Sequence, residues 1–576
     1  MPIHWLHQTL KGIAILISIA LLSAFVIWAD PWLNQSDPLM TQVLNAWPMA
    51  SIFVLLLAIT KRPALSLLTA MATTAMVFYI NHIKLTELSQ PLLLTDLMLF
   101  PQVMGHMDLL AAYVNTNLLI ALFLAWLGAC ALFWITEPQW FQRTGQVAGV
   151  VVGIGMMGFL ASSWGLSWYE KNTGLKRPWA PIEEIKTQGL MAAAVRDAHT
   201  QLVSLPEPDL QTINELKDTL TQTASDTPFD PSTRPDLILF LSESFFESRY
   251  MTNAEPCTLL PHWCTLIEEG QWGEMTVPTF GGNTTRTEYE VLTGVPYRTL
   301  PQGLYPYNSI VLQPTASIAW WLKSLGYETT AIHPHDRYFW QRHRAMPLLG
   351  FDTFIGEQEF GPHTRSGFWI SDKDLTEKVI QTLKEPSDTP QFVFAISMEN
   401  HGPWHAKRPN MDEGRRSSLP SIEGLEGQGE HAYRNYLYHQ RQAVDALNKL
   451  WQYAQNRERP TAILFFGDHL PGLHDTFKQV GFEQGFEPLT HPVPYLLLQT
   501  EPKASPPWQP NASYQLGLWF LEANGLPLPS DYALLSARHQ QTDTVNDIDG
   551  SPLYPHLVRL DPNDWALELC ERGLMC

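Results

Sequence analysis

The chain predicts two unlike parts: an N-terminal domain of five transmembrane helices, then an α/β domain with a mostly parallel sheet sandwiched by helices. Three observations carry that expectation. Five long apolar stretches crowd the first 164 of 576 residues. Beyond them, apolar runs of strand length alternate with amphipathic helical stretches, the pattern of a parallel sheet covered on both faces. Four of those runs stop abruptly at acids and imidazoles, on the strand edge where open parallel sheets bind ligands.

The apolar stretches lie near Gly12 to Trp28, Ala46 to Ile59, Ala64 to Ile80, Leu118 to Ile135 and Val147 to Trp164. Each approaches the ~20 apolar residues that a spanning helix requires. The first is not read as a cleaved signal, because no small-residue cleavage site follows it and further spans do. Lys11, Lys61, Arg62 and Arg143 fall on one side if that side is cytoplasmic, with Lys84 as the exception. An odd number of spans then places everything after Trp164 outside the cytoplasm, in the periplasmic or extracellular space of a bacterial inner (cytoplasmic) membrane.

The expected organisation is a transmembrane domain over 1–166, a juxtamembrane helix and linker over 167–234, a catalytic domain over 235–500, and a C-terminal part over 501–576 that completes it. The stretch ending in "IEEIKTQGLMAAAVRDAHTQL" forms either an amphipathic helix or a plain connector. Pro206 to Arg234, rich in Pro, Asp, Thr and Ser, reads as a linker. From about Pro494 the chain holds one more strand, "PYLLLQT", and after it Trp508, Trp519 and Trp565 as packing residues.

Net charge is −20 at pH 7 and no basic run is present, which excludes nucleic acid as a partner. The five cysteines are few. Cys257 and Cys264, like Cys570 and Cys576, are near neighbours; they fit two short-loop disulfides of an oxidising compartment, or equally four thiols.

The four strand ends carry the chemistry. "DLILFLSES" ends at Ser242, Glu243 and Ser244; "YETTAIHPHD" at His333, His335 and Asp336; "QFVFAISMENH" at Glu399, Asn400 and His401; "TAILFFGDH" at Asp468 and His469. Carboxylates and imidazoles without nearby thiolates suit one divalent cation such as Mn or Zn. Glu243, Asp468 and His469 supply three ligands. In "TFGGNTTRTEYEVLTG", Thr284 and Thr285 open a helix, where a hydroxyl either caps the first turn or, activated by a cation, serves as a nucleophile.

"LSESF", "GGNTTRTEYEVLTG", "HPHDRYFWQR", "MENHGPW" and "FGDHLPG", in this order after five spans, resemble the lipoteichoic acid synthase and phosphoglycerol transferase family of the alkaline phosphatase and sulfatase superfamily. The resemblance is good from about Asp236 to His474 and weak in the membrane part. It implies Thr284 as nucleophile and Glu243, Thr284, Asp468 and His469 as ligands of one divalent metal, Mn, with Zn or Mg as alternatives. Trp340, His333, Arg342 and His401 would bind substrate, Arg342 and His401 acting also in catalysis. The implied reaction moves glycerophosphate from phosphatidylglycerol in the membrane to a glycan or polyol-phosphate acceptor, through a phosphothreonine.

Three other readings remain. A sulfatase needs Cys or Ser in a Cys/Ser-x-Pro-x-Arg setting, and this chain has "NTTRT". A phosphoethanolamine transferase shares the threonine and the anchor, with more His and Asp ligands and more cysteines expected. A catalytically silent envelope-assembly protein would lack the threonine or a ligand, and all are present here.

Overall fold

The computed structural model describes residues 2–33, 38–101, 113–173, 181–200, 211, 213–215, 234–301, 303–383, 388–483, 491–504, 506–541 and 553–572. Most of the expected linker, and Cys576, lie outside them. The chain divides into two compact units: 1–204 with 301–303, and 205–300 with 304–576.

In the first unit, among the described residues, five helices are long and apolar enough to cross a membrane. These are α1 (Pro2–Ala29), α2 (Leu39–Thr60), α3 (Pro63–Leu88), α4 (Thr116–Thr136) and α5 (Arg143–Leu160). The fifth ends before the expected Trp164. There the Ser162 hydroxyl donates to the Phe159 carbonyl and accepts from the Gly165 amide, and a new helix begins at Ser163. Lys84, the exception to the charge pattern, is paired with Asp96 at 2.6 Å.

The juxtamembrane stretch forms two helices, Pro181–Gln188 and Leu190–Thr200, hinged at Gly189 with φ +85°. A Cβ there would lie 2.6 Å from the Asn45 side-chain oxygen, so only glycine fits. Asn45 donates to the Gln188 carbonyl and accepts from the Ala192 amide, and Asp30 accepts from the Leu190 amide. The second of these helices is packed within its unit: Leu190, Met191, Ala192 and Ala193 are buried, and so are the polar Arg196, Asp197 and His199.

The second unit is built on a seven-stranded sheet. Its strands are β1 (Asp236–Ser242), β2 (Gln271–Met275), β3 (Glu328–Ile332), β4 (Thr353–Ile355), β7 (Gln391–Ile396), β8 (Thr461–Gly467) and β9 (Val493–Gln499). A small hairpin, β5 (Arg365–Ser366) and β6 (Trp369–Ile370), stands apart. The sheet order is β2-β9-β8-β1-β7-β3-β4, with β9 antiparallel to both neighbours. The four strands expected to end in chemistry are thus the contiguous centre, β8-β1-β7-β3, all parallel.

Register aligns their ends. Leu241 faces Ile396 on one side and Phe466 on the other, and Ser242 faces Gly467. Every residue of β1, β7 and β8 is buried, as expected of central strands covered on both faces. The flanking short strands β2 and β4 were not expected: their stretches carry Gly and Glu or are three residues long, too little pattern for a strand signal. Three further helices matter to the site: α6 (Thr284–Thr293), α7 (Asp372–Thr382) and α8, the 29-residue Gly427–Gln455. Trp519 and Trp565 are buried and Trp508 nearly so, Trp508 donating to Glu522 and Trp565 to Asp531, so these rings pack the domain.

Cys257 and Cys264 form a disulfide. Cys570 is also disulfide-bonded.

Candidate functional site

The site begins where β1 and β8 end. Gly467 lets the two ends approach: a Cβ there would lie 2.0 Å from the Phe245 carbonyl oxygen. Beyond β1 the chain turns at Ser244, φ +54°, whose amide donates to Asp468 Oδ1 at 2.7 Å and whose hydroxyl donates to Glu243 Oε1 at 2.8 Å. Tyr436 on α8 braces that turn, its hydroxyl donating to the Ser244 carbonyl at 2.9 Å.

These constraints bring Glu243, Asp468 and His469 together. His469 Nε2 is 3.2 Å from Asp468 Oδ2 and 3.6 Å from Glu243 Oε1. One ligand atom from each lies within 4.8 Å of the others, and all three residues are buried. His469 Nδ1 faces the Leu470 carbonyl at 3.0 Å, so it carries the ring proton and leaves Nε2 as an acceptor. Three acceptors therefore face one another, and Asp468 Oδ2 and His469 Nε2 have no hydrogen-bond partner among the described residues. Burial, and then the Asp468 charge, push the Glu243 carboxyl up to about 8. Buried acceptors without donors are costly, and a divalent cation is what this set of oxygen and imidazole ligands fits.

Thr284 opens α6 beside this group. Gly281 (φ +68°) and Asn283 (φ +65°) bend the lead-in, the Gly281 amide donates to the Leu470 carbonyl, and Thr287 one turn on donates to the Asp468 carbonyl at 2.8 Å. Thr284 Oγ1 comes to 3.5 Å from Glu243 Oε2. Thr285, the other candidate, is fully buried and its hydroxyl has no partner among the described residues. Geometry thus separates two threonines that local sequence leaves equal.

The substrate candidates sit around the same edge. Arg342 is gripped by Glu288 of α6, Nη2 to Oε1 at 2.5 Å and Nε to Oε2 at 3.3 Å, and its Nη1 donates to His333 Nε2 at 3.2 Å. Tyr307 donates to the same Glu288 carboxylate. Burial, and then the neighbouring Arg342 cation, hold the His333 imidazole well below its ordinary value. His401 leads the loop after β7; its Nδ1 faces the Gly402 carbonyl at 3.0 Å and Trp369 packs edge-on against its ring. Burial lowers its pKa, with the Asp468 charge opposing. Trp340 and Gln341 both have left-handed backbones, φ +57° and +58°, a strained pair that turns the Trp340 ring onto Tyr305 at 4.9 Å.

Electrostatics ties these groups into one locale: the Arg342 charge reaches Glu243, and that of Asp468 reaches His401. Sequence reasoning missed two contributors. Glu288 was visible only as a helix residue, and the Ser244 turn had no signal beyond a Ser after Glu. Glu399, grouped with the other strand-end residues, is turned away from the ligand group: its Oε1 pairs with His439 Nδ1 at 2.8 Å and its Oε2 accepts from the Asp372 amide at 2.7 Å.

A mostly parallel sheet with its acidic ligand group at the central strand ends has the architecture of the alkaline phosphatase and sulfatase superfamily. The chain belongs to the sulfatase family, whose profile matches residues 235–513. It is 30% identical over 446 residues to the capsular polysaccharide biosynthesis protein RkpI of Rhizobium meliloti (strain 1021), covering 74% of this chain and 77% of that one. A second R. meliloti protein, named for a proposed role in cyclic beta-1,2-glucan modification, is 34% identical over 253 residues, 44% of this chain. The chain spans only 38% of that relative's length. In fold it resembles the integral membrane lipooligosaccharide phosphoethanolamine transferase A (EptA) of Neisseria meningitidis, with TM-score 0.52 and 10% identity over 90% of this chain and 98% of that one.

Proposed function

We propose that this protein is a membrane-anchored phosphotransferase that moves glycerophosphate from phosphatidylglycerol to an envelope glycan or glycerol acceptor, with Thr284 carrying the phosphoryl group between them. The observation that carries the reading is the Thr284 hydroxyl at 3.5 Å from Glu243, at a helix N-terminus beside three converging acceptors. Glu243, Asp468 and His469, with Thr284 as the fourth ligand, would hold one divalent metal, Mn by preference over Zn or Mg. When bound, the metal would act as a Lewis acid toward the Thr284 hydroxyl and a phosphoryl oxygen.

The chain's own residues do the rest. Thr284 Oγ attacks phosphorus and gives its proton to His401 Nε2, which passes it to the diacylglycerol oxygen as the bond from that oxygen to phosphorus breaks. An acceptor hydroxyl then attacks the phosphothreonine, its proton passing through His401 Nε2 to the departing Thr284 oxygen, so the enzyme ends each cycle as it began. The Nδ1 contact to the Gly402 carbonyl leaves Nε2 as the working atom of His401. Arg342, its plane fixed by Glu288 and His333, faces its remaining donors to the phosphoryl oxygens. Trp340 supplies an apolar face for the glycerol or sugar. The two rhizobial relatives bear names tied to polysaccharide and glucan, which favours a glycan acceptor.

The active domain would stand on the periplasmic side of the inner membrane, where donor lipid and acceptor meet. The EptA-like fold supports a second reading, transfer of phosphoethanolamine. Full-length protein in lipid nanodiscs with Mn should release fluorescent diacylglycerol from labelled phosphatidylglycerol, and Thr284→Ala should release none. Release from phosphatidylethanolamine alone selects the second reading; release from neither overturns both.

A further inference from the structure

Two residues beyond Thr284, Arg286 is about 94% buried, being 6% exposed, and its guanidinium forms no hydrogen bond or ion pair among the described residues. Its Nε is buried without a partner. The two acids on its own helix are already engaged: Glu288 by Arg342 and Tyr307, Glu290 by the Tyr297 amide and the Ser513 hydroxyl. What surrounds the cation is aromatic. The guanidinium carbon lies 4.5 Å from the Tyr297 ring centroid and 6.0 Å from that of Tyr305, whose other neighbour is Trp340. The helix N-terminus beside it receives no capping hydrogen bond from the Asn283 side chain.

A buried cation without a counter-ion costs stability, and ring faces offset only part of that cost. A protein keeps such a group where a ligand supplies the missing charge. We propose that Arg286, the first turn of α6 and the rings of Tyr297, Tyr305 and Trp340 form a second anion subsite beside Thr284. It takes an anionic oxygen group, a phosphate or carboxylate, of the substrate. This rests on the phosphotransferase reading and deepens it: the rings add a flat apolar wall of the kind a sugar or glycerol backbone lies against, and the guanidinium adds a charge requirement. Two sources carry such a group, the donor lipid phosphate and an anionic acceptor glycan.

The test uses full-length protein in nanodiscs, with Arg286→Gln, Arg286→Lys and Arg286→Met. In metal-free protein, titration with inorganic phosphate should raise the Tm of wild type. Arg286→Gln should need at least tenfold more phosphate for the same shift, and Arg286→Lys less than threefold more. Without phosphate, Arg286→Met should melt at or above the wild-type temperature, because the arginine is kept for a ligand; a fall would mark a structural arginine and overturn the proposal. Single-turnover diacylglycerol release then reads the donor half. Transfer from preformed phosphothreonine to a glycan with or without a glycerol phosphate substituent reads the acceptor half. A tenfold loss in donor release assigns the anion to the lipid; a tenfold loss only with the substituted glycan assigns it to the acceptor. No loss in either half overturns the subsite. Failure of wild type to release diacylglycerol from any phospholipid would sink the phosphotransferase reading instead, with the phosphate titration still deciding Arg286.

Discussion

Two buried clusters of the same residue types stand at neighbouring strand ends and behave oppositely. In one, Glu243, Asp468 and His469 turn three acceptors toward each other. In the other, His439 on α8 points Nδ1 at Glu399, the Asp372 amide supplies Glu399 with a second donor, and Ser397 donates to Asp372 at 2.7 Å. Burial, followed by the Glu399 charge, raises the Asp372 carboxyl well above its usual range, and burial lifts Glu399 to about 7 and holds His439 well below its ordinary value. Arg408 then donates to the Glu399 and His401 carbonyls, so this second cluster shapes the loop that carries His401. The lesson is that residue type marks neither cluster as a ligand site. Convergence of acceptors does: Asp372 Oδ2 and His439 Nε2 are also buried without a partner among the described residues, but Glu399 is met by two donors, so this is the matched cluster, whereas Glu243, Asp468 and His469 turn their acceptors on one another and form the unmatched one.

The largest effect that could break this contrast is on turnover. Asp468→Asn and Thr284→Ala should each lower diacylglycerol release by about 10⁴-fold or more, the scale seen when an interdependent catalytic set loses a member. Asp468→Asn should also abolish stoichiometric Mn binding by calorimetry, yet leave the metal-free Tm unchanged or higher, since it removes one of the opposed acceptors. A large fall in metal-free Tm would mean that the group is matched internally after all.

His401→Gln should cost roughly 10²- to 10⁴-fold, the usual worth of a general acid-base group, mostly in transfer to acceptor. Because burial lowers the His401 pKa, its imidazole stays unprotonated through neutral pH and gains a proton only below the ordinary value of about 6.5. The acceptor step should therefore weaken as pH falls, with a midpoint below 6.5; a midpoint above it contradicts the assignment.

The matched cluster should respond the other way. Glu399→Ala leaves the buried His439 donor without its acceptor and should lower stability by about 1–3 kcal/mol, read as Tm or denaturation midpoint. Mn stoichiometry should be unchanged. Loss of metal binding at normal Tm would make Glu399 a ligand.

Much of this layout was legible from residues alone, for a physical reason. Central parallel strands are buried on both faces, so β1, β3, β7 and β8 appear as apolar runs, and their shared direction sends the polar residues after them to one edge. Glu243, Asp468 and His469 could therefore be grouped without knowing any distance. Glu399 could not be separated from them: its partner His439 lies 40 residues on, in a helix whose facing is a tertiary property. The same limit hid the Glu288 grip on Arg342, which spans 54 positions. Short β2 and β4 had too few residues to show a period, and local sequence left Thr284 and Thr285 equal: the resemblance named Thr284, and the fold brings its hydroxyl to 3.5 Å from Glu243.

Glu290 offers the finest test, because it belongs to neither cluster. It is buried on α6, accepts from the Tyr297 amide at 2.6 Å, and bonds the Ser513 hydroxyl. Burial outweighs both and lifts its carboxyl to about 7. An acid whose folded pKa exceeds its unfolded value of about 4.3 binds its proton more tightly when folded. Its stabilising contribution is complete below that unfolded value and is lost as pH rises through about 7. Glu290→Gln keeps the neutral, hydrogen-bonded form at every pH. The variant should match wild type near pH 4 and exceed it above pH 7 by on the order of 1 kcal/mol, flattening the Tm profile between. Glu243 and Glu399 titrate in the same direction and should leave a residual slope. Mn should remove the Glu243 share of that slope and leave the Glu399 share, because only the unmatched cluster exchanges protons for a cation. A slope that Mn leaves untouched would place both carboxylates in scaffold and end the distinction between the clusters.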